Sequence, residues 1–114
     1  MENECIFCCI IRRQAPAEIV YQDEAVTAFE TNRHIAPVHL LSVPNRHITS
    51  VNQVETGDEP VLGRLITLAS ELAHQRGIDQ SGYRLVINTG PDGGQTVFHL
   101  HLHLIGGRRL HYQI

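Results

Sequence analysis

Apolar and polar residues alternate in several short stretches of the chain, which is the pattern of strands in a sheet with one buried face. Residues 18–30, EIVYQDEAVTAFE, predict a hairpin, because two apolar runs flank the polar turn QDE. Residues 39–44, HLLSVP, predict a third strand that ends at its proline, and residues 83–88, YRLVIN, predict a fourth. The last predicted strand lies in residues 98–107, FHLHLHLIGG, where histidine and leucine alternate.

The pattern changes to a helical period after Asp58. Pro60 suits the first turn of a helix, and Gly77 is typical of the residue just past its end. The apolar positions between them fall on one helical face: Val61, Leu62, Leu65, Ile66, Ala69, Leu72 and Ala73. Residues 5–13, CIFCCIIRR, predict a short N-terminal helix or a turn. This order of elements predicts one α+β domain over residues 1–114, an antiparallel sheet with the long helix packed on one face.

Composition and charge narrow the classes of function. The net charge of −3 offers no basic field for a phosphate polymer, so we expect no nucleic-acid partner. The N-terminal sequence MENECIF lacks a basic segment followed by a long apolar run, and no later stretch approaches the ~18 apolar residues of a membrane span. We therefore expect a soluble cytoplasmic protein with no membrane partner.

Three histidines, His99, His101 and His103, occupy alternate positions of the last predicted strand and should share one face. Burying three imidazoles requires a partner for each polar nitrogen. One metal ion held by all three is disfavoured, because the outer two Cα atoms lie ~13 Å apart at ~3.3 Å per residue, whereas zinc–nitrogen bonds measure only ~2.0 Å. We therefore expect the three histidines to have different roles.

The loop before this strand, residues 90–99, is rich in glycine and reads GPDGGQTVFH. Its backbone, together with Gln95 and Thr96, can hold an oxyanion such as phosphate, although a glycine pair alone is usually just a turn. A neutral histidine beside such a loop can attack phosphorus and form a covalent intermediate. The sequence thus places a candidate phosphate cradle next to a candidate nucleophile.

The run from His99 to Ile105 resembles the signature of the histidine triad family, in which three histidines alternate with apolar residues. DGGQTVFHLHLHLIGGRRLH, YRLVINTG, IVYQDEAVTAFE and APVHLLSVPNRHI resemble its branch of bacterial histidine triad nucleotide-binding proteins, over about residues 5–111. The resemblance implies a homodimer whose two five-stranded sheets join into one. It also implies hydrolysis of nucleoside 5′-phosphoramidates and related AMP or GMP conjugates, without a metal for catalysis.

The resemblance further implies roles for single residues. His101 would be the nucleophile, and His103 would contact the phosphate and help protonate the leaving group. His39 matches a fourth histidine that orients the nucleophile. His99, the first histidine of the signature, is also assigned to the catalytic residues. The implied substrate-binding positions are Asn88, Gly94, Gln95, Thr96 and Thr31. Because His103 stands where the transferase branch of the family has glutamine, hydrolysis is favoured over transfer.

Thr31 departs from the family pattern. Family members have an aspartate there that contacts the ribose hydroxyls, and here Glu30 comes one residue early. Glu30 could replace that aspartate only if the strand end shifts, because a slip of one residue sends a side chain to the other face. This departure keeps an alternative function open, a nucleotide-binding regulatory dimer with residual catalysis.

The cysteines allow three interpretations. Cys5 and Cys8 have the C-x-x-C spacing of zinc ligands, and Cys9 makes the count odd. The zinc-containing members of the wider family point to His47 and His99 as the other two ligands, which would give a Cys₂His₂ structural site. Buried reduced thiols are the second interpretation, and a redox pair is the third and least favoured.

Overall fold

A five-stranded antiparallel sheet forms the centre of the structure, a computed structural model that describes residues 5–111 and 113. The sheet order is β1-β2-β3-β5-β4. The strands are β1 (Ile19–Gln22), β2 (Val26–Glu30), β3 (Val38–Pro44), β4 (Tyr83–Val86) and β5 (Leu102–Gly106), and the helices are α1 (Ile6–Ile11) and α2 (Glu59–Gln75). The predicted α+β class is confirmed. The predicted domain, residues 1–114, includes residues 1–4, 112 and 114, which lie outside the described part.

The two helices pack on opposite faces of the sheet. Leu100, Leu102 and Leu104 join the larger apolar core, to which α2 contributes its buried residues. On the other face, Phe7 and Ile10 of α1 form a smaller core with residues of β2 and β3. The predicted segregation of leucines and histidines is therefore confirmed, because the leucines pack under α2 while the histidine rings lie on the α1 face.

The helix α2 begins and ends where the sequence predicts. Pro60 occupies its first turn, and Gly77 follows its end with a φ of 71°, in the left-handed region that favours glycine. Its buried residues are Leu65, Leu68, Ala69, Leu72 and Ala73. The prediction for Ile66 is wrong, since this side chain is 54% exposed. The spacing 65, 68, 69, 72 places Leu68 on the buried stripe and Ile66 beside it.

The last strand, β5, is shorter than predicted. The register pairs Ser42 with Leu102, so Leu100 would pair with Pro44, which has no N–H to continue the ladder. The Leu100 N–H donates instead to the carbonyl of Ile48 at 2.6 Å. The chain therefore joins the sheet only after this residue. Of the three histidines, only His103 lies in the strand.

Among the helices of the described ranges, none has both the length and the apolar character needed to cross a bilayer.

Two neighbouring apolar residues of α2 provide a test of this packing. Leu68→Ala should lower the free energy of unfolding by about 2–5 kcal/mol, because Leu68 is 1% exposed and its removal leaves a cavity. Ile66→Ala, the matched control at an exposed position, should change it by less than about 0.5 kcal/mol. Urea denaturation measures both. Equal losses in the two variants would contradict the assigned orientation of α2.

Candidate active site and metal cluster

A cleft of about 870 Å³ opens on the α1 face of the sheet, and His39, His101 and His103 line it together. Apolar side chains of α1 and β2, among them Ile10 and Phe29, form other parts of its wall. A cleft with an apolar wall and a few convergent polar groups is the usual form of a small-molecule site. The three histidines therefore face a space that can hold a ligand.

His101 is held in one tautomer by the backbone. Its Nδ1 lies 2.7 Å from the carbonyl oxygen of His99. A carbonyl can only accept, so Nδ1 carries the proton and Nε2 keeps its lone pair. The Phe7 ring packs nearly perpendicular to the imidazole, with centroids 5.1 Å apart. Burial lowers the pKa of His101, so the ring is neutral near pH 7 and its Nε2 carries no proton.

His39 and His103 form a hydrogen-bonded pair. Nε2 of His39 lies 2.9 Å from Nδ1 of His103, while Nδ1 of His39 accepts from the N–H of Ile35 at 3.3 Å. In a neutral His39 the proton then sits on Nε2 and is donated to His103, whose own proton is left on Nε2. The hydrogen-bonded partner of His39 is thus His103 rather than the expected nucleophile His101.

Burial keeps this pair neutral. It lowers the pKa of His103 to about 4, with the neighbouring His101 and His39 as further causes. Burial also lowers the pKa of His39, and the charge of His34 adds to this effect. In this neutral form, His103 can donate one hydrogen bond from Nε2.

The glycine-rich loop is braced by Gln95, which is 4% exposed. Its side-chain oxygen accepts from the N–H of Gly90, and its amide nitrogen donates to the carbonyls of Thr49 and Val97. Its own backbone N–H donates to the carbonyl of Gly90. These bonds occupy the polar groups of Gln95, so it shapes the expected phosphate cradle rather than offering a free donor to it.

The other predicted substrate-binding residues divide between two clefts. Thr96 and Thr31 line the main cleft with the histidines. Asn88 lines a second cleft of about 520 Å³, which His39 and His103 also line. Gly94 has a φ of 86°, which favours glycine, and it lies in the braced loop.

Glu30 lines one end of the main cleft, but its side chain turns to the α2 side of the sheet. It pairs in register with Leu40, a residue of the core under α2, and its carboxylate bonds the Arg76 guanidinium at 2.8 Å. The strand end is not shifted, so Glu30 does not take the place of the missing aspartate. The Thr31 hydroxyl accepts from the N–H of Arg33 at 3.2 Å.

The four predicted zinc ligands come together. The ligand atoms of Cys5, Cys8, His47 and His99 all lie within 4.8 Å of one another. Nδ1 of His99 lies 3.4 Å from Sγ of Cys5 and 3.6 Å from Sγ of Cys8, and Nδ1 of His47 lies 3.4 Å from Sγ of Cys8. A tetrahedral zinc with bonds of ~2.3 Å to sulfur and ~2.0 Å to nitrogen separates such atoms by about 3.5 Å. The residues therefore fit zinc.

His99 has both ring nitrogens engaged away from the cleft. Nδ1 faces the two cysteines, while Nε2 donates to the Pro44 carbonyl at 2.8 Å, and the residue is 0% exposed. A metal-binding histidine is commonly oriented by such a bond from its other nitrogen. The side chain of His99 therefore does not serve the catalytic role expected of it. The residue contributes its carbonyl oxygen, which accepts from Nδ1 of His101.

Comparison with known proteins agrees with this geometry. The family model of the HIT domain matches residues 12–110. The chain belongs to the HIT domain family. Purine nucleoside phosphoramidase of Escherichia coli (strain K12) is 52% identical over 110 residues, 96% of this chain and 92% of that protein. The resemblance to the histidine triad family is confirmed.

Solved structures of HIT proteins superpose closely on this one. A HIT family hydrolase from Legionella pneumophila Philadelphia 1 has a TM-score of 0.93 and 41% identity, over 96% of this chain and 97% of that one. A zinc-bound histidine triad family protein from Mycobacterium smegmatis has a TM-score of 0.80 and 27% identity, over 92% and 76%. This HIT protein is an enzyme of the hydrolase class.

Sequence reasoning missed two residues of this HIT site. Phe7 packs against His101, His99 and Phe29, although no role there was predicted for it from the sequence. Its place between the two cysteines of the C-x-x-C motif was the available signal. The second residue is Ile35, whose backbone N–H bonds the His39 ring. Because this contact comes from the backbone, the identity of the side chain does not predict it.

The stability of this HIT domain should fall between pH 7.5 and pH 5. His39, His101 and His103 have folded pKa values below the ~6.5 of a free histidine, so below that pH the unfolded chain binds protons that the folded chain does not. Their contribution is complete above about pH 6.5, and that of His103 is lost as the pH falls through about 4.

Urea denaturation at pH 7.5, 6 and 5 measures this loss. The comparison variant is His103→Gln, which removes one half-buried histidine with a lowered pKa and should lose less stability over the same range. An identical pH dependence in the variant and the wild type would show that His103 does not carry the effect.

Proposed function

We propose that this HIT hydrolase cleaves nucleoside 5′-phosphoramidates and related purine nucleotide conjugates through a covalent nucleotidyl-histidine intermediate. One observation carries the proposal: the His99 carbonyl holds Nδ1 of His101, so that Nε2 of a neutral ring is free beside His103. The name of the E. coli relative, purine nucleoside phosphoramidase, supports the substrate class.

The first step is attack by Nε2 of His101 on the phosphorus atom. A nitrogen–phosphorus bond forms, and the bond from phosphorus to the leaving amine breaks with its electron pair on the amine nitrogen. The ring of His101 becomes cationic, and the His99 carbonyl at Nδ1 stabilises that charge.

The amine leaves only when its nitrogen gains a proton, and His103 is placed to supply it. An anionic phosphoryl group raises the proton affinity of the histidine pair beside it, so in the complex the pair takes up one proton, on Nδ1 of His39 in exchange for the bond from the Ile35 N–H. His39 then passes its Nε2 proton to Nδ1 of His103 as His103 gives up its own. Nε2 of His103 passes a proton to the departing nitrogen. General acid catalysis of this kind contributes roughly 10²–10⁴-fold to a rate.

The second step is hydrolysis of the nucleotidyl-histidine intermediate. Water attacks phosphorus, the bond to Nε2 of His101 breaks, and His103 takes the proton that the water gives up. Each turnover therefore consumes one water molecule and returns both histidines to their initial state. The proposed steps use the histidines alone, as the family resemblance implies.

The wall of the main cleft suits a nucleoside. Phe29 and Leu41 supply apolar surface for a purine base, and Thr31 and Thr96 supply hydroxyls along the same cleft. We infer that AMP and GMP conjugates bind with the base against this wall and the phosphate toward His101. Asn88 would contact the phosphate from the second cleft, and Thr96, which follows Gln95 in the loop, would contact it from the main cleft.

Intact-protein mass spectrometry with adenosine 5′-phosphoramidate tests the covalent step. The wild type should show a transient adduct of one AMP, and His101→Ala should show none while its turnover falls by more than about 10³-fold. His74→Ala removes an exposed imidazole of α2 and should behave as the wild type. Nucleotide binding without adduct or AMP release in the wild type would instead favour the regulatory dimer.

We also propose that Cys5, Cys8, His47 and His99 hold a structural zinc ion. When bound, zinc would supply a closed tetrahedral link between the start of α1 and the histidine segment. The zinc-bound histidine triad family protein of M. smegmatis, which shares this fold, supports the assignment. Burial and the neighbouring Cys5 raise the pKa of Cys8 to about 11, and a bound cation would favour the thiolate instead.

Elemental analysis of protein purified without added metal tests the zinc assignment. About one zinc per chain is expected in the wild type and in Cys9→Ser, which alters a cysteine outside the cluster. Cys8→Ser should lose the metal and unfold at a lower temperature. Metal-free wild type would leave buried reduced thiols as the better interpretation.

The homodimer, the cytoplasmic location and the single-domain extent of the chain stay predictions. The strand β4 lies at an edge of the described sheet, next to Ile87, which is 39% exposed. An edge strand of this kind offers backbone groups to a second sheet, which supports the proposed dimer.

A further inference from the structure

The segment between β2 and β3, residues 31–37, carries the backbone group that contacts His39. The N–H of Ile35 donates to Nδ1 of His39 at 3.3 Å. The side chain of Ile35 is 60% exposed, so packing of its own does not hold this peptide in place. Another contact must fix the peptide if it is to orient the ring.

Arg108 provides that contact from the other side of the peptide. Its Nη2 donates to the carbonyl oxygen of Ile35 at 2.7 Å. Gly107, directly after β5, brings the arginine there: its φ is 96°, and a Cβ at this position would lie 2.9 Å from Cβ of Pro37. The chain after β5 thus packs closely on the end of the same segment.

We propose that Arg108 is a positioning residue for the His39–His103 pair and acts through the Ile35 peptide. Three hydrogen bonds carry the effect: Arg108 to the Ile35 carbonyl, the Ile35 N–H to His39, and His39 to His103. The inference rests on the proposed hydrolase function, because it concerns the proton that His103 presents to the substrate.

The direction of the histidine–histidine hydrogen bond is what Arg108 controls. With the Ile35 N–H in place, Nδ1 of His39 accepts, and the proton of His103 lies on Nε2. If the peptide moved away, His39 could carry its proton on Nδ1 and accept through Nε2 from Nδ1 of His103. Nε2 of His103 would then lack a proton. Both arrangements keep the same contact between the rings, so only the peptide selects one of them.

Direct binding of a substrate anion is the competing role for Arg108. The residue lines the second cleft together with His39 and His103, and a guanidinium there could contact a phosphate or a leaving group. The two roles differ in the protein without ligand. A positioning residue affects the ring protons before any substrate binds, whereas a residue that only binds substrate does not.

Nitrogen NMR of ¹⁵N-labelled histidine rings in the ligand-free protein tests the proposal. The wild type should show His103 protonated at Nε2. Arg108→Met keeps most of the length of the side chain but removes its donors, and it should shift His103 toward the Nδ1-protonated form. Arg108→Lys restores one donor and should return part of the wild-type signal.

Arg109→Met is the matched control. It removes the same charge one residue further along, and the side chain of Arg109 has no hydrogen-bond partner among the described residues. Its ring signals should equal those of the wild type. Because Arg108 and Arg109 are both exposed, the variants should fold, and circular dichroism with thermal melting checks this.

Kinetics with adenosine 5′-phosphoramidate give a second readout. Arg108→Met should lower kcat about tenfold with KM unchanged within about twofold, since the loss concerns proton transfer rather than binding. Unaltered ring signals in Arg108→Met, or a raised KM at constant kcat, would overturn the proposal. A wild type without hydrolysis would refute the proposed function, while the ring signals would still decide the role of Arg108.

Discussion

The hydrogen bond from Nε2 of His99 to the Pro44 carbonyl is the interaction on which the rest of the site depends. It fixes the ring of a fully buried residue at the point where the chain leaves the sheet. With Nε2 committed to the backbone, Nδ1 is left to face the two cysteines, and the carbonyl of the same residue is left to hold His101. One side chain and its own peptide thus contact both the proposed zinc ligands and the proposed nucleophile, His101.

Proline explains why this bond can form. Pro44 ends the ladder of β3 because it has no N–H, and its free carbonyl then accepts from a side chain instead of a strand. The alternation of leucine and histidine continues beyond the ladder, since the leucines stay in the α2 core. The histidines therefore keep one face although only His103 is in a strand.

Sequence reasoning was sufficient for features that follow from periodicity and failed for those that follow from single hydrogen bonds. The hairpin, the long helix and the two-faced histidine segment were predictable, because each depends on the side-chain repeat of a strand or helix. Ile66 was wrongly predicted to be buried, because the helical repeat does not decide whether a position at the border of the apolar face is buried or exposed. The partner of His39 and the bracing role of Gln95 depend on tertiary contacts between distant segments, which spacing does not encode.

The two walls of the main cleft come from parts of the fold with different constraints. His39 and His103 stand on the central sheet, where the register between β3 and β5 leaves little freedom. The facing wall includes Ile6 and Ile10 of α1, a helix of six residues, and Ile6 is half exposed. Substitutions at Ile6, unlike those at Phe7, which packs against His101, can reshape the pocket and leave the histidine rings in place. Substrate range can thus diverge quickly among descendants of such a protein while its chemistry is inherited unchanged.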